Sequence, residues 1–147
     1  MNLLALDIET TGLDRFTDKL LCIGVYSPVH GHFTFETAEA FSAWNKPDNA
    51  YILHNGSFDL AWLLHYHCDI RQQYAYDTKS IASILVPLPA IQEGQSRALS
   101  LENLYLSLLG GTTYKLKRDE MASYALSEVI EYNKRDCEIT YQLFSYL

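Results

Sequence analysis

The stretch Leu3-Leu4-Ala5-Leu6-Asp7-Ile8-Glu9-Thr10-Thr11-Gly12-Leu13, "LLALDIETTGL", opens with an apolar run and ends on two carboxylates one residue apart. Leu3–Asp7 reads as a buried strand, and Gly12 marks the turn that follows it. Side chains two apart on a strand share a face, so Asp7 and Glu9 project together from the strand's C-terminal end. Like charges so placed repel and resist burial, which makes a cation between them the arrangement's natural complement.

Working outward, Lys19–Tyr26 is a second strand, and Pro28 with Gly31 turns the chain into a third at His32–Glu36, giving a meander. Glu39–Trp44 is a brief helix stopped by Pro47. Tyr51–His54 is a strand broken by Asn55-Gly56. Ser57 is the expected cap of a helix through "FDLAWLLHYH", where Leu60, Leu63 and Leu64 recur at helical spacing. Tyr74–Tyr76 is a short last strand. Thr78 starts a helix that Pro87 and Pro89 end, and "AIQEGQSRA" is a polar loop. Ser100 caps "LENLYLSLL", closed by Gly110-Gly111. "TTYKLKR" is loop, Asp119 caps a short helical stretch, and Ser127 begins a last helix to about Leu143. Strands lead and helices follow, so the class is α/β with a central mixed sheet flanked by helices. No linker or repeat divides the chain, and residues 1–147 are expected to form one domain.

The 147 residues suffice for one hydrophobic core, at 48% hydrophobic and 20% charged. A net charge of −7 argues against a nucleic-acid partner only until bound divalent cations are considered, since these invert the local field. The basic residues Lys115, Lys117 and Arg118 cluster, as do Lys134 and Arg135. Three scattered cysteines point to free thiols and a cytoplasmic setting. No leader and no membrane-spanning run is legible, and a strand beginning almost at Met1 suggests a true N-terminus.

Two further stretches join the first. In "HNGSFDLAWLL", Asn55 and Asp59 straddle a strand-to-helix junction, where Asp59 alone would pass for a helix N-terminal carboxylate. In "EYNKRDCEITYQL", Tyr132 and Asp136 stand four apart on one helical face, about 6 Å along the axis. Ile139 and Leu143 continue that row, which sets Asp136 at the edge of a buried face. A salt bridge is the plain alternative. Oxygen ligands of this kind suit Mg²⁺ or Mn²⁺, and a two-metal site needs its ions about 3.5–4 Å apart.

"DIETTGL", "HNGSFDLAWLL" and "YNKRD" together resemble the three motifs of the DEDD 3'–5' exonucleases, which share a ribonuclease H-like fold. The resemblance covers residues 3 to about 144. With Tyr132 four residues before Asp136, and no histidine after His67, it falls in the tyrosine subclass. That subclass holds the proofreading domains of family A DNA polymerases and the ribonuclease D-like RNA exonucleases. "YDTKSIASILVP" and "LSLENLYLSLLG" look more like the phage and bacterial proofreading domains.

The resemblance implies that Asp7, Glu9 and Asp136 hold one metal, that Asp7 bridges to a second, and that Asp59 reaches the second through water. Tyr132, with Glu9, would orient the attacking water, and a 5'-mononucleotide would leave. Thr10 stands where the family contacts the terminal 3'-OH, and Leu13 where a leucine wedges between the last bases, unless it only anchors the turn. Asn55 would hold the strand end against the helix. Lys115, Lys117 and Arg118, interleaved with Tyr114, are the expected phosphate contacts. Phe58 and Trp62 read as core, and His65 and His67 as non-ligands.

The expected activity is therefore metal-dependent 3'–5' hydrolysis of single-stranded DNA, with proofreading beside a separately encoded polymerase. The location would be the cytoplasm, or the host cytoplasm for a phage-encoded chain. The alternatives are a ribonuclease D-like RNA exonuclease and a non-catalytic module binding nucleic acid or a polymerase.

Overall fold

The structure, a computed structural model, describes residues 1–86 and 99–147. Its strands are β1 (Asn2–Thr10), β2 (Leu20–Ser27), β3 (Gly31–Phe35), β4 (Asn49–Leu53) and β5 (Tyr74–Asp77). They form one mixed sheet of five strands in the order β3-β2-β1-β4-β5. β1, β2 and β3 are the antiparallel meander, whereas β4 pairs parallel with both β1 and β5. The helices are α1 (Ala38–Trp44), α2 (Ser57–His65), α3 (Thr78–Leu85), α4 (Leu101–Leu108) and α5 (Leu126–Tyr146).

Alternation along β1 divides the molecule into layers. Leu4, Leu6 and Ile8 face one way and pack with Ile23, Val25, Tyr51 and Leu53 against Phe41 of α1 and Trp62 and Leu63 of α2. Asp7 and Glu9 face the other way, where α5 crosses β1 and β2. Farther along α5, Ile139 and Leu143 bury against Leu101, Leu104 and Tyr105 of α4 and Ala82 of α3. Close seating of α5 on the sheet depends on Gly24, which pairs with Asp7 across β1 and β2. A Cβ at Gly24 would fall 1.9 Å from Asn133 Oδ1.

Several local features differ from expectation. Ser57 is the first residue of α2 rather than its cap; the cap position is Gly56, with no side-chain bond. Asp119 lies within a 3-10 turn, Arg118–Ser123, and caps nothing. α5 begins at Leu126, where the Glu128 carboxylate accepts from the Ala125 N–H at 3.1 Å. Ser100 does cap α4, its Oγ accepting from Asn103 N–H at 3.2 Å. Pro87, Pro89 and the stretch "AIQEGQSRA" lie outside the described residues.

Candidate active site

The site exists because β1 outruns β4. Their parallel pairing ends at Ala5↔Ile52, so Leu6–Thr10, more than half of β1, has no strand on that side. The chain leaves β4 through Asn55, at a left-handed φ of 61°, and α2 begins in the gap. Asparagine tolerates that conformation better than most residues. Asp59, in the first turn of α2, then completes β1 with its side chain: Oδ1 accepts the Ile8 N–H at 3.1 Å. The Asp77 carboxylate fixes the junction from behind. It accepts from the N–H groups of Asn55 at 3.3 Å and Gly56 at 2.8 Å, and from the Tyr74 hydroxyl at 2.5 Å. The contact of Asn55 here is made by its main chain, to Asp77.

Asp7 and Glu9 meet Asp136 across the sheet–helix interface. One carboxylate oxygen from each of the three lies within 4.8 Å of the others. Asp59 stands beside this group without joining it. Asn133, one residue after Tyr132, donates from Nδ2 to both the main-chain oxygen and Oδ2 of Asp7, each at 3.1 Å. The Tyr114 hydroxyl donates to Asp136 Oδ1.

Burial sets the electrostatics. Burial first, then the charge of Asp59, pushes the Asp7 carboxyl up to about 7. Burial likewise carries Asp59 to about 7. Asp136, desolvated and facing Asp7, is raised to about 8. Glu9, buried against Asp7 and Asp136, is held well above the usual carboxylate range. Among the described residues none of the four makes an ion pair with Lys, Arg or His. No salt bridge among the described residues accounts for the place of Asp136. Glu9 Oε1 is buried without a hydrogen-bond partner, a costly state for a polar atom. A converging set of oxygen donors with an orphaned oxygen, and no ion-paired cation among the described residues, fits a divalent metal.

A cleft of about 760 Å³ opens over these groups, lined by Glu9, Asp59, Tyr132 and Asp136 at one end. Tyr132 is only 6% exposed. Burial and the neighbouring Asp136 charge raise its phenol far beyond the usual value, so it keeps its proton. Thr10, Leu13, Asn55, Lys115 and Arg118 also line the cleft. The Thr10 hydroxyl is engaged with Gly12 O at 2.6 Å. Leu13 is 76% exposed, and the turn that carries it is held by Asp18. The Asp18 carboxylate accepts from Asp14 N–H at 3.0 Å and lies where a Cβ of Gly12 would stand.

Two readings need correction. Lys117 does not line the cleft; its ammonium, on a side chain 72% exposed, lies 3.8 Å from Glu120. The core reading of Phe58 is incomplete: the residue packs against the core and also lines the cleft, whereas Trp62 is fully buried. Sequence reasoning missed Tyr114 as a neighbour of Asp136, Asn133 as the donor to Asp7, and His54. The His54 imidazole bridges Thr78 Oγ1 at 2.8 Å and Leu99 O at 2.9 Å. Burial lowers it to about 4, so it stays neutral as a brace between β4 and α3.

The family described as 3'-5' exonuclease matches residues 1–147. The chain belongs to that family. The three motifs and Tyr132 assign this exonuclease to the tyrosine subclass of the DEDD enzymes, with the ribonuclease H-like fold. It is a phosphodiester hydrolase of a group that uses divalent metals and acts on nucleic acid, and the idle-module reading is set aside. Solved structures share the fold. Brucella melitensis NrnC with bound Mg²⁺ is 18% identical, with 99% of this chain and 71% of that chain covered and a TM-score of 0.70. NrnC bound to pGG is 22% identical over the same shares, with a TM-score of 0.69. The structure described as the apo form of the nuclease is 18% identical, covering 99% and 70%, also at 0.69. No curated protein sequence matches the chain. Among the described residues no helix of the exonuclease is long and apolar enough to cross a membrane.

Proposed function

We propose that residues 1–147 form a single domain that removes nucleotides from the 3' end of single-stranded DNA. The products are 5'-mononucleotides, and two ions, Mg²⁺ or Mn²⁺, serve the reaction. The observation that carries this reading is the meeting of Asp7, Glu9 and Asp136 within 4.8 Å, with Glu9 Oε1 unpartnered, under a cleft that also holds Tyr132. Asp7, Glu9 and Asp136 would hold one ion, and Asp7 with Asp59 the other. Bound there, divalent ions supply an activated water and stabilise the leaving oxygen.

The protein's own groups do the rest. Tyr132, held protonated, donates its hydroxyl to position the water and is no base. Glu9 is its partner in that task. Leu13, presented bare at the cleft edge, separates the last bases, and Thr10 sits beside the terminal sugar. Lys115 and Arg118 meet the phosphates. Since phosphates and stacking surfaces read no sequence, hydrolysis is expected to be sequence-tolerant.

Proofreading for a separately encoded polymerase, in a cytoplasmic setting, extends the same reading. The resemblance to family A proofreading domains supports the first. The free buried thiols of Cys22, Cys68 and Cys137 support the second. The NrnC complex with pGG keeps an RNA end in view as a second substrate. A 5'-labelled strand of DNA and one of RNA, each with Mg²⁺, Mn²⁺ or EDTA, decide between them. A DNA ladder shortening from the 3' end, lost in EDTA and in Asp7→Ala, is the expected result. Cleavage of RNA alone would overturn the DNA assignment, and cleavage of neither would overturn the activity.

A further inference from the structure

Tyr114 lies in the segment between α4 and the 3-10 turn, and the sequence groups it with the basic residues around it. The structure gives it a different neighbour. Its ring packs at 5.7 Å on Tyr132 and edge-on at 5.9 Å against Tyr105. Tyr105 is itself fixed from two sides. Arg135 Nη2 donates to its hydroxyl at 2.7 Å. Gly111 passes so close that a Cβ there would sit 2.1 Å from the ring. The left-handed turn at Gly110, φ 65°, starts the segment on this path. Aromatic packing alone would be served by phenylalanine. What needs explaining is the hydroxyl, which donates to Asp136 Oδ1.

We propose that Tyr114 is a positioning residue for the metal site, its hydroxyl holding one oxygen of Asp136 so that the other is presented to the ion. The inference rests on the metal-site reading above. Asp136 is the only member of the Asp7, Glu9 and Asp136 group that comes from a helix rather than β1, so its carboxylate needs its own orienting contact. Asp7 has one in Asn133, whose amide takes Oδ2. Asp7 and Asp136 thus each have one oxygen engaged by a neutral donor. A neutral donor orients without repelling the incoming cation, as lysine would, and outer contacts of this kind typically govern metal affinity. The same segment is pinned again at Lys117, whose N–H donates to the Tyr124 hydroxyl at 3.2 Å. Between the two pins, Lys115 reaches the cleft. The hydroxyl therefore links metal holding to phosphate contact.

The test is Mn²⁺ titration by calorimetry without substrate, on wild type, Tyr114→Phe, Tyr114→Leu, Tyr132→Phe and Asp136→Ala, with melting of each. Tyr114→Phe keeps the ring and loses the donor; its Kd for Mn²⁺ is expected to rise about 10-fold or more, with a near wild-type Tm. Tyr114→Leu should match that Kd while melting lower, which separates hydroxyl from packing. Tyr132→Phe should leave Kd unchanged. A wild-type Kd in Tyr114→Phe, with binding lost in Asp136→Ala, would overturn the positioning role alone. No Mn²⁺ binding by wild type would overturn the metal-site reading and this inference with it.

Discussion

Asp7, Glu9, Asp59 and Asp136 bring four carboxylates together at one end of the cleft, Asp7 half-buried and the other three buried. Burial raises all of them, to about 7 for Asp7 and Asp59 and about 8 for Asp136. The linkage has a definite sign. The folded metal-free protein holds protons that the unfolded chain, with carboxyls near 3.8 for Asp and 4.5 for Glu, has already released. The proton-linked stability is complete below those values and is lost as pH rises through about 7 to 8. In EDTA, melting temperature is expected to fall between pH 5 and pH 8, by the order of several degrees. Mn²⁺ should cancel most of that fall, because the cation replaces the protons. A flat profile in EDTA would contradict the buried-charge account. The proposed role of Tyr132 rests on its hydroxyl: Tyr132→Phe should lower kcat by roughly 10²–10⁴-fold, the range for a positioned proton-bonding group, while Mn²⁺ affinity holds.

The elements that bring these residues together were unevenly legible. Asp7 and Glu9 share a face by the two-residue period of a strand, and Tyr132 and Asp136 by the four-residue step of a helix. Each pair could be read within one segment. Asn133 bonds Asp7 across 126 residues, and Tyr114 bonds Asp136 across 22. No local period carries such contacts. The splay of β1 from β4 was also hidden, since nothing in "LLALDIE" says where its neighbour stops. Lys117 was misplaced for a related reason: in an irregular segment, sequence spacing does not fix which way a side chain points.

The fit of α5 on β2 gives a prediction at this scale. Gly24→Ala would force a methyl against Asn133 Oδ1. The cost expected from overpacking is about 1–3 kcal/mol in chemical denaturation, with weaker Mn²⁺ binding because the donor to Asp7 moves. An unperturbed protein would show that the helix can lift away freely.

At the scale of the whole molecule, a protein of net charge −7 must attract a polyanion. Long-range attraction is therefore absent, and recognition has to be local. On the proposed reading, Lys115 and Arg118, which line the cleft, and divalent cations held by the carboxylates would provide it. Charge reversal separates the cleft from the rest of the basic cluster. Lys115→Glu and Arg118→Glu should raise KM for a single strand about 10-fold each and flatten its salt dependence. Lys117→Glu should change KM less than about 2-fold, since its ammonium is exposed and screened. Equal effects at all three positions would mean the substrate crosses this segment differently.

The central claim is spatial: acidic side chains from β1, α2 and α5 grip divalent cations where a phosphodiester can reach them. Anomalous diffraction from crystals soaked in Mn²⁺ tests it most directly. The account predicts one peak bounded by Asp7, Glu9 and Asp136 and a second near Asp59, about 3.5–4 Å from the first. A soaked crystal with Mn²⁺ elsewhere, and none between Asp7 and Asp136, would contradict it.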